Sequence, residues 1–461
     1  MSDARTPDTP PAWFPFDLRR LSTVLKLAAI GFLMLVLLIP LAMVDSVLGE
    51  RLQRRDAAVK EMTASWGAEQ VVVGPVLVVP YRYTQRTWKD QVVNGRTERV
   101  ETVQALTGRA YFLPAVLKAD GRLDPSRLSR GIYESVVYRS AVTLSGHFAR
   151  PAFDEWKVDA QDVLWDDAEM TVAVSDLRGA QQALMATVGG APVPLKPGSR
   201  LDGFVTGVHA RVNDLKNRAG DVPFEIALAF NGSRSLRFAP AGTSTEVIVR
   251  STWPDPSFQG AFLPGQRDIS GQGFTARWQV SEYGRSYPQQ WTDTTAVTAA
   301  AINASLFGVD LVPALDAYRY VERSIKYGVL VIVLVFAAFF LAEVLGNVRV
   351  HPVQYTLVGA ALCLFYLGVL ALSEVLSFDA AYWAGAAAAT LMISLYAVKM
   401  LGSVRRALAA AAGLGTVYGF LFVVLRLQDF SLLVGTAGLT LALALVMYLT
   451  RNIDWYARDG G

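Results

Sequence analysis

The residues able to do chemistry are few and scattered. The histidines are His147, His209 and His351, with no H-E-x-x-H spacing and no C-x-x-C, and the single cysteine is Cys363. Tetrahedral zinc needs clustered His, Cys or carboxylate ligands, so neither a metal site nor a cofactor is expected. No serine stands in a G-x-S-x-G context and no G-x-x-x-x-G-K-[ST] loop is present, which removes the nucleophile elbow and the phosphate-cradling loop. Gly271, Gly273 and Ala276 fit a loose dinucleotide fingerprint, but no helical pattern follows to receive a pyrophosphate. Asp162, Asp166, Asp167 and Glu169 would be close enough in sequence for paired acid and base work, although a solvated loop is the ordinary role of such a run. No enzymatic activity is expected.

Two further groups of side chains are candidates for binding. The segment from Trp253 to Trp291 concentrates aromatic residues, Trp253, Phe258, Phe262, Trp278 and Trp291, with Arg277 among its arginines. Aromatic and arginine side chains dominate binding hot spots, which makes the segment a candidate recognition surface for a sugar polymer, a lipid headgroup or a protein. The ordinary alternative, and the preferred one, is that these rings fill the core and corners of a β-structure. Glu343, Glu374 and Arg426 fall near the ends of apolar segments. A charge at mid-bilayer costs roughly 2.5 to 3.5 kcal/mol, so these three are expected at the membrane interface. No carboxylate falls at a midplane and no pair of broken helices marks an inverted repeat, which weighs against a proton-coupled transporter.

The elements that must carry these residues follow from the distribution of apolar residues. Crossing about 30 Å of hydrocarbon takes roughly 20 apolar residues, and six segments meet that length: 21–45, 327–345, 355–373, 379–398, 406–425 and 430–449. The first is longer than the roughly 7 to 15 residues of a signal-peptide core and lacks an A-x-A site, so it is expected to remain as an anchor. Short loops keep Lys and Arg on the cytoplasmic side. Arg349, Lys399, Arg405, Arg406, Arg451 and Arg458 fall on one side, against Glu374, Asp379 and Asp429 on the other with Arg426 the exception. Both tails, 1–20 and 450–461, are therefore expected in the cytoplasm and residues 46–326 outside.

The 46–326 insert has its own pattern. Val47, Leu48, Leu52, Val59 and Met62 continue a helical period to about Ser65, where Trp66-Gly67 should end it. Strands are expected after that, starting with Val71–Val79, where Gly74-Pro75 implies a bulge or an edge. Asn94-Gly95 and Asp120-Gly121 are turn dipeptides. Phe224, Ile226, Leu228 and Phe230 alternate with small or polar residues, and predict a hairpin turning at Asn231-Gly232 and returning through Leu236 and Phe238. Two lobes are expected, with a boundary or long loop near 186–202, where Gly189-Gly190 and several prolines cluster. One cysteine allows no intramolecular disulfide. A net charge of +3 without a long basic cluster excludes nucleic acid as a partner. The fold class expected is an α-helical integral membrane protein of six transmembrane helices, with a large β-rich exterior domain between the first two.

Several motifs resemble those of the CreD family of bacterial inner-membrane proteins. They are Ser65-Trp66-Gly67 with Gln70 and Gly74-Pro75; Arg130-Gly131-Ile132-Tyr133; Trp253-Pro254 through Phe258 with Phe262-Leu263-Pro264; and Lys326-Tyr327-Gly328. They continue with His351-Pro352-Val353-Gln354-Tyr355, Phe365-Tyr366, Leu372-Ser373-Glu374 and the run from Thr450 to Tyr456. Val375 and Gln428 depart from the family pattern, which commonly has a histidine and an acidic residue there. The resemblance implies an inner-membrane component of the envelope-stress response under two-component control, linked to β-lactam and colicin responses and without established catalysis. Membrane lipids and an unidentified envelope or membrane protein are the partners expected. The alternative function is a transporter or lipid-handling protein built on the five clustered spans.

Overall fold

The computed structural model describes residues 20–93, 96–180, 184–218, 220–295, 297–312, 317–346, 348, 350–427 and 430–451. They divide into two compact units, one comprising the chain up to Arg54 and from Leu315 onward, the other Arg55–Ala314. Helix α1 (Arg20–Trp66) contributes to both. It ends where its sequence stops it, with the Gly67 N–H closing on the Thr63 carbonyl at 2.9 Å.

Strands build the Arg55–Ala314 unit. The first half supplies β1 (Gln70–Val93), β2 (Arg96–Phe112), β3 (Val116–Arg130), β4 (Tyr133–Phe148), β5 (Glu169–Val174), β6 (Met185–Val188), β7 (Ala191–Pro194), β8 (Lys196–Pro197) and β9 (Gly207–Arg211). The second supplies β10 (Val222–Ser233), β11 (Ser235–Phe238), β12 (Ser244–Ser251), β13 (Pro256–Gly260), β14 (Gln266–Ser270), β15 (Gly273–Ser281), β16 (Gln290–Thr292), the short helix α2 (Ala299–Ala304) and β17 (Phe307–Leu311). One sheet runs β13-β17-β11-β1-β5-β9-β8, with β2 beside β1 and β16 beside β2; the other runs β14-β15-β12-β3-β4-β10-β6-β7. On β10, Phe224, Ile226, Leu228 and Phe230 are buried while Glu225, Ala227 and Ala229 are exposed, the period-2 signature of a sheet with one covered face. Inward side chains of both sheets, such as Leu77, Val79 and Phe307 from one and Leu144, Ile226 and Val249 from the other, join a single apolar cluster.

Local turn signals fared unevenly. Gly74-Pro75 lies at a register shift between β1 and β5, so the bulge is present, but β1 is an interior strand. The hairpin expected at Asn231-Gly232 does not form. Both residues lie within β10, opposite Arg139 and Tyr138 of β4, and the chain then crosses to β11 in the other sheet, bending at Arg234 with φ 61°. Gly232 is required by crowding: a Cβ there would sit 2.4 Å from the Tyr138 ring. Asp120-Gly121 is likewise mid-strand, opposite Thr143 and Val142, and Asp120 pairs with Arg250 at 2.6 Å. Asn94-Gly95 lies outside the described residues. In the 186–202 stretch, Gly189 and Gly190, with φ 62° and 85°, make the tight turn between β6 and β7 that left-handed backbone permits. Val188, Val193 and Leu201 belong to the one apolar cluster.

The helix unit holds the apolar part of α1 together with α3 (Ala317–Lys326), α4 (Gly328–Gly346), α5 (Pro352–Ser373), α6 (Phe378–Met400), α7 (Val404–Arg426) and α8 (Ser431–Thr450). Among the described residues six helices, α1 and α4 to α8, are long and apolar enough to cross a membrane, as the hydropathy of the sequence requires. His351-Pro352-Val353-Gln354 starts α5 as a capping box: His351 Nδ1 accepts from the Val353 N–H at 3.3 Å, and Gln354 accepts from the His351 N–H at 2.9 Å. Phe365 gathers Tyr366, Tyr382 and Tyr418 at centroid distances of 4.8, 5.4 and 4.6 Å. Helix α3 was not anticipated; its ten residues belong to the helix unit.

Replacing Gly232 by Ala should lower stability by about 1 to 3 kcal/mol, the usual penalty of overpacking. The Tyr138 ring cannot yield, being fully buried with its hydroxyl donating to the Ser235 carbonyl at 2.6 Å. A thermal unfolding midpoint equal to that of the parent would show that Gly232 is not needed for space.

Candidate functional site

Glu343, near the end of α4, is the most heavily bonded side chain in the helix unit. It is buried; Oε1 pairs with Lys26 of α1 and accepts from the Val350 N–H at 3.2 Å, and Oε2 accepts from the Tyr355 hydroxyl of α5 at 3.1 Å. A buried carboxylate needs such partners, because desolvation without them costs several kcal/mol. With both oxygens bonded, the group acts as a pin between α1, α4 and α5.

The other two charges expected at the membrane interface are paired too. Glu374, at the end of α5, meets Arg51 of α1 at 3.3 Å. Arg426, the last residue of α7, pairs with Asp379 of α6 and lies 5.8 Å from the centre of the Tyr320 ring. Tyr320 stacks on Phe378 at 4.9 Å, and Arg323 donates to the Val424 carbonyl at 3.4 Å.

In the sheet unit the residues of the candidate recognition surface turn inward. Trp278 is fully buried and donates Nε1–H to the Phe262 carbonyl at 3.2 Å; Trp253 donates to the Val312 carbonyl at 2.9 Å; Trp291 stacks on Tyr111 at 5.3 Å. Phe258 is half-buried with its ring 5.7 Å from that of Trp278, and Phe262 meets Phe307 at the same distance. Arg277 pairs with Glu246 on the neighbouring strand. The set is therefore not one exposed surface. On β15, Phe274, Ala276, Trp278 and Val280 occupy the covered face, and each indole N–H with a carbonyl partner makes burial affordable. The segment's exposed large side chains include Leu263 and Tyr283, 68% and 91% accessible, and Ile269.

Four of the remaining sequence candidates have structural partners. Asp167 holds Arg211 at 2.9 Å and Glu169 holds Arg200 at 2.8 Å. Buried His209 bonds the Gly198 carbonyl at 2.8 Å, and His147 lies 3.4 Å from Asp221. Among the described residues no group of three or more His, Cys, Asp or Glu side chains could hold a metal.

One joint was missed by sequence reasoning. Gln70, fully buried at the start of β1, donates Nε2–H to the carbonyls of Asp176 at 2.8 Å and Asn231 at 2.7 Å, and its Oε1 accepts from the Asp176 N–H at 3.2 Å. The Asp176 carboxylate accepts from the Ala68 N–H at 3.1 Å and the Arg178 N–H at 2.9 Å, and forms a forked pair with the Arg178 guanidinium. Arg178 also reaches the Ala64 carbonyl in the last turn of α1, and Trp66 donates to the Tyr138 carbonyl at 3.3 Å. Burial opposes ionisation of Asp176, but the bonds from Arg178 and Ala68 outweigh it and hold the carboxyl below its ordinary range. The available signal was a lone Gln amid valines at the start of a strand.

Six apolar helices with a two-sheet domain between the first and the rest define a multi-pass membrane protein. A family model described as "Inner membrane protein CreD" matches residues 22–456. The chain is 31% identical over 434 residues, covering 94% of it and 93% of the relative, to "Inner membrane protein CreD" of Escherichia coli (strain K12). The chain belongs to the CreD family, and it is an inner membrane protein.

Lys26→Met should destabilise the full chain by about 3 to 5 kcal/mol by stranding Glu343, whereas Lys26→Met with Glu343→Gln should recover part of the loss; thermal unfolding in detergent completes the cycle. A second measurement concerns pH. Because the folded pKa of Asp176 lies below its ordinary value, its stabilisation is present above about pH 4 and is lost as pH falls through the lowered value. Asp176→Asn should therefore be less stable than the parent at neutral pH, and the difference should shrink in acid. A difference that persists unchanged into acid would mean that ionised Asp176 does not stabilise the fold.

Proposed function

We propose that the chain is a non-enzymatic component of the inner membrane that supports envelope integrity or the envelope-stress response, its sheet domain lying outside the cytoplasm and binding or sensing an envelope component. The observation that carries this reading is that three buried polar side chains of the sheet domain with the chemistry to act, Gln70, Asp176 and His209, are each bonded to protein partners. Lys399, Arg405, Arg406 and Arg451 against Glu374 and Asp379 favour cytoplasmic termini. The transport alternative lacks an uncommitted carboxylate at these sites, since Glu343, Glu374 and Asp379 each hold a cation.

The contact face we favour is the ribbon formed by β1 and β2. From Tyr83 to Val93 β1 pairs, among the described residues, with β2 alone, and the ribbon exposes Trp88 and Val103, 54% and 59% accessible, with Arg99 5.8 Å from the Trp88 ring centre. Exposed aromatic and arginine side chains suit recognition.

Deleting the gene should raise sensitivity to detergent and β-lactam, and the parent gene should restore resistance while Trp88→Ala with Val103→Ser, at normal expression, should not. An unchanged envelope after deletion would sink the proposal; full rescue by the variant would move the contact off the ribbon. A reporter active only outside the cytoplasm should be active when fused after Asp90 and inactive after Gly402, and the reverse would invert the topology.

A further inference from the structure

Helix α3 precedes α4 by a single residue, Tyr327, and packs against α4, α5, α6 and α7. Its buried residues, Val321, Ser324 and Ile325, occupy one side. Arg319, Arg323 and Lys326 stand at i, i+4 and i+7, which puts them together on the opposite side. Arg319 and Lys326 are exposed. The one carboxylate on the helix, Glu322, is already held by Lys326 at 2.8 Å. Among the described residues neither Arg319 nor Arg323 has a carboxylate partner; the side-chain bond of Arg323 is to the Val424 carbonyl. The basic stripe thus keeps an excess of positive charge beside the start of a membrane-crossing helix.

An amphipathic helix that buries its apolar side and presents Lys and Arg at a membrane boundary attracts anionic headgroups, and long basic side chains extend to phosphate depth. We propose that Arg319, Arg323 and Lys326 bind the headgroup phosphates of anionic phospholipids, so that α3 is a lipid-contacting helix at the membrane surface. Charge complementarity selects this occupant: the stripe has uncompensated cations, and the surface next to α4 is lipid. The proposal does not depend on which leaflet faces α3, nor on the envelope role proposed above.

The test uses the full chain in nanodiscs of equal phosphatidylglycerol and phosphatidylcholine, with mass spectrometry of the lipids retained after partial delipidation. The parent should retain phosphatidylglycerol preferentially, and each basic residue removed should cut the preference roughly fivefold, the worth of one Lys or Arg at an anionic surface. Arg319→Gln with Arg323→Gln should lose most of the preference, and Arg319→Lys with Arg323→Lys should keep it. Where the double variant unfolds because the Val424 carbonyl loses its donor, Arg319→Gln alone decides, since that side chain is exposed and unpartnered among the described residues. Inorganic phosphate should not displace the lipid. Equal retention of the two lipids by the parent, retention unchanged in a folded Arg319→Gln variant, or displacement by phosphate would each overturn the assignment.

Discussion

A carboxylate that leaves water has to recover its hydrogen bonds and a counter-charge, and the helix unit is organised by that demand. Between apolar helices in lipid the hydrophobic effect gives little guidance, because acyl chains are as apolar as leucine. Many registers of α1 against α4 and α5 would bury similar aliphatic surface. Only one brings Lys26 to Glu343 while Tyr355 and the Val350 N–H also donate to its carboxylate. The penalty for stranding the buried charge, several kcal/mol, is what separates that register from its neighbours. The pairs of Arg51 with Glu374 and Arg426 with Asp379 add constraints of the same kind on α1 with α5 and on α6 with α7.

The sheet unit meets an equivalent demand at the end of α1. The last carbonyls of a helix lack intrahelical donors, and here Arg178 supplies the one at Ala64 while its guanidinium neutralises Asp176. Gln70 then ties the Asp176 backbone to that of Asn231 in β10, so strands of both sheets share the joint. Gly67 has to be glycine for the same reason, since a Cβ would lie 2.7 Å from the Asn231 carbonyl oxygen.

What could be seen in the sequence was whatever is encoded within about twenty residues. A membrane-crossing helix carries its whole signal in one apolar run, so six were found at nearly the observed positions. Strand alternation is equally local, and β10 was read correctly from Phe224 to Phe230. The turn at Asn231-Gly232 was not, because Gly232 answers to Tyr138, a residue on another strand, and the dipeptide looks the same in either role. The partner of Glu343 lies 317 residues away, beyond any periodicity. For the aromatic segment the core-filling role was the preferred reading over a recognition surface, and the alternation of Phe274, Ala276, Trp278 and Val280 places Trp278 on a covered face. Helix α3 escaped because ten residues are too few to stand out beside a longer apolar run.

Several of the family motifs fall on these joints or on the α5 cap. Trp66-Gly67 and Gln70 belong to the Asp176 joint, His351 to Gln354 form the cap of α5, Tyr355 bonds Glu343, and Glu374 holds Arg51. A side chain whose donors and acceptors are spent on the fold has none left for a ligand without breaking a bond that helps hold the fold together. Loss of such a residue would impair the protein whatever its task, so the motifs identify the architecture and leave the ligand undetermined. The two places proposed above for recognition, Trp88 with Val103 on the β1–β2 ribbon and Arg319 on α3, have exposed side chains instead. The first presents apolar area with one cation over a ring, suited to a protein or polymer surface; the second presents charge at the edge of the bilayer, suited to phosphate. Because they lie in different units, a variant at either site can be compared with one at the other.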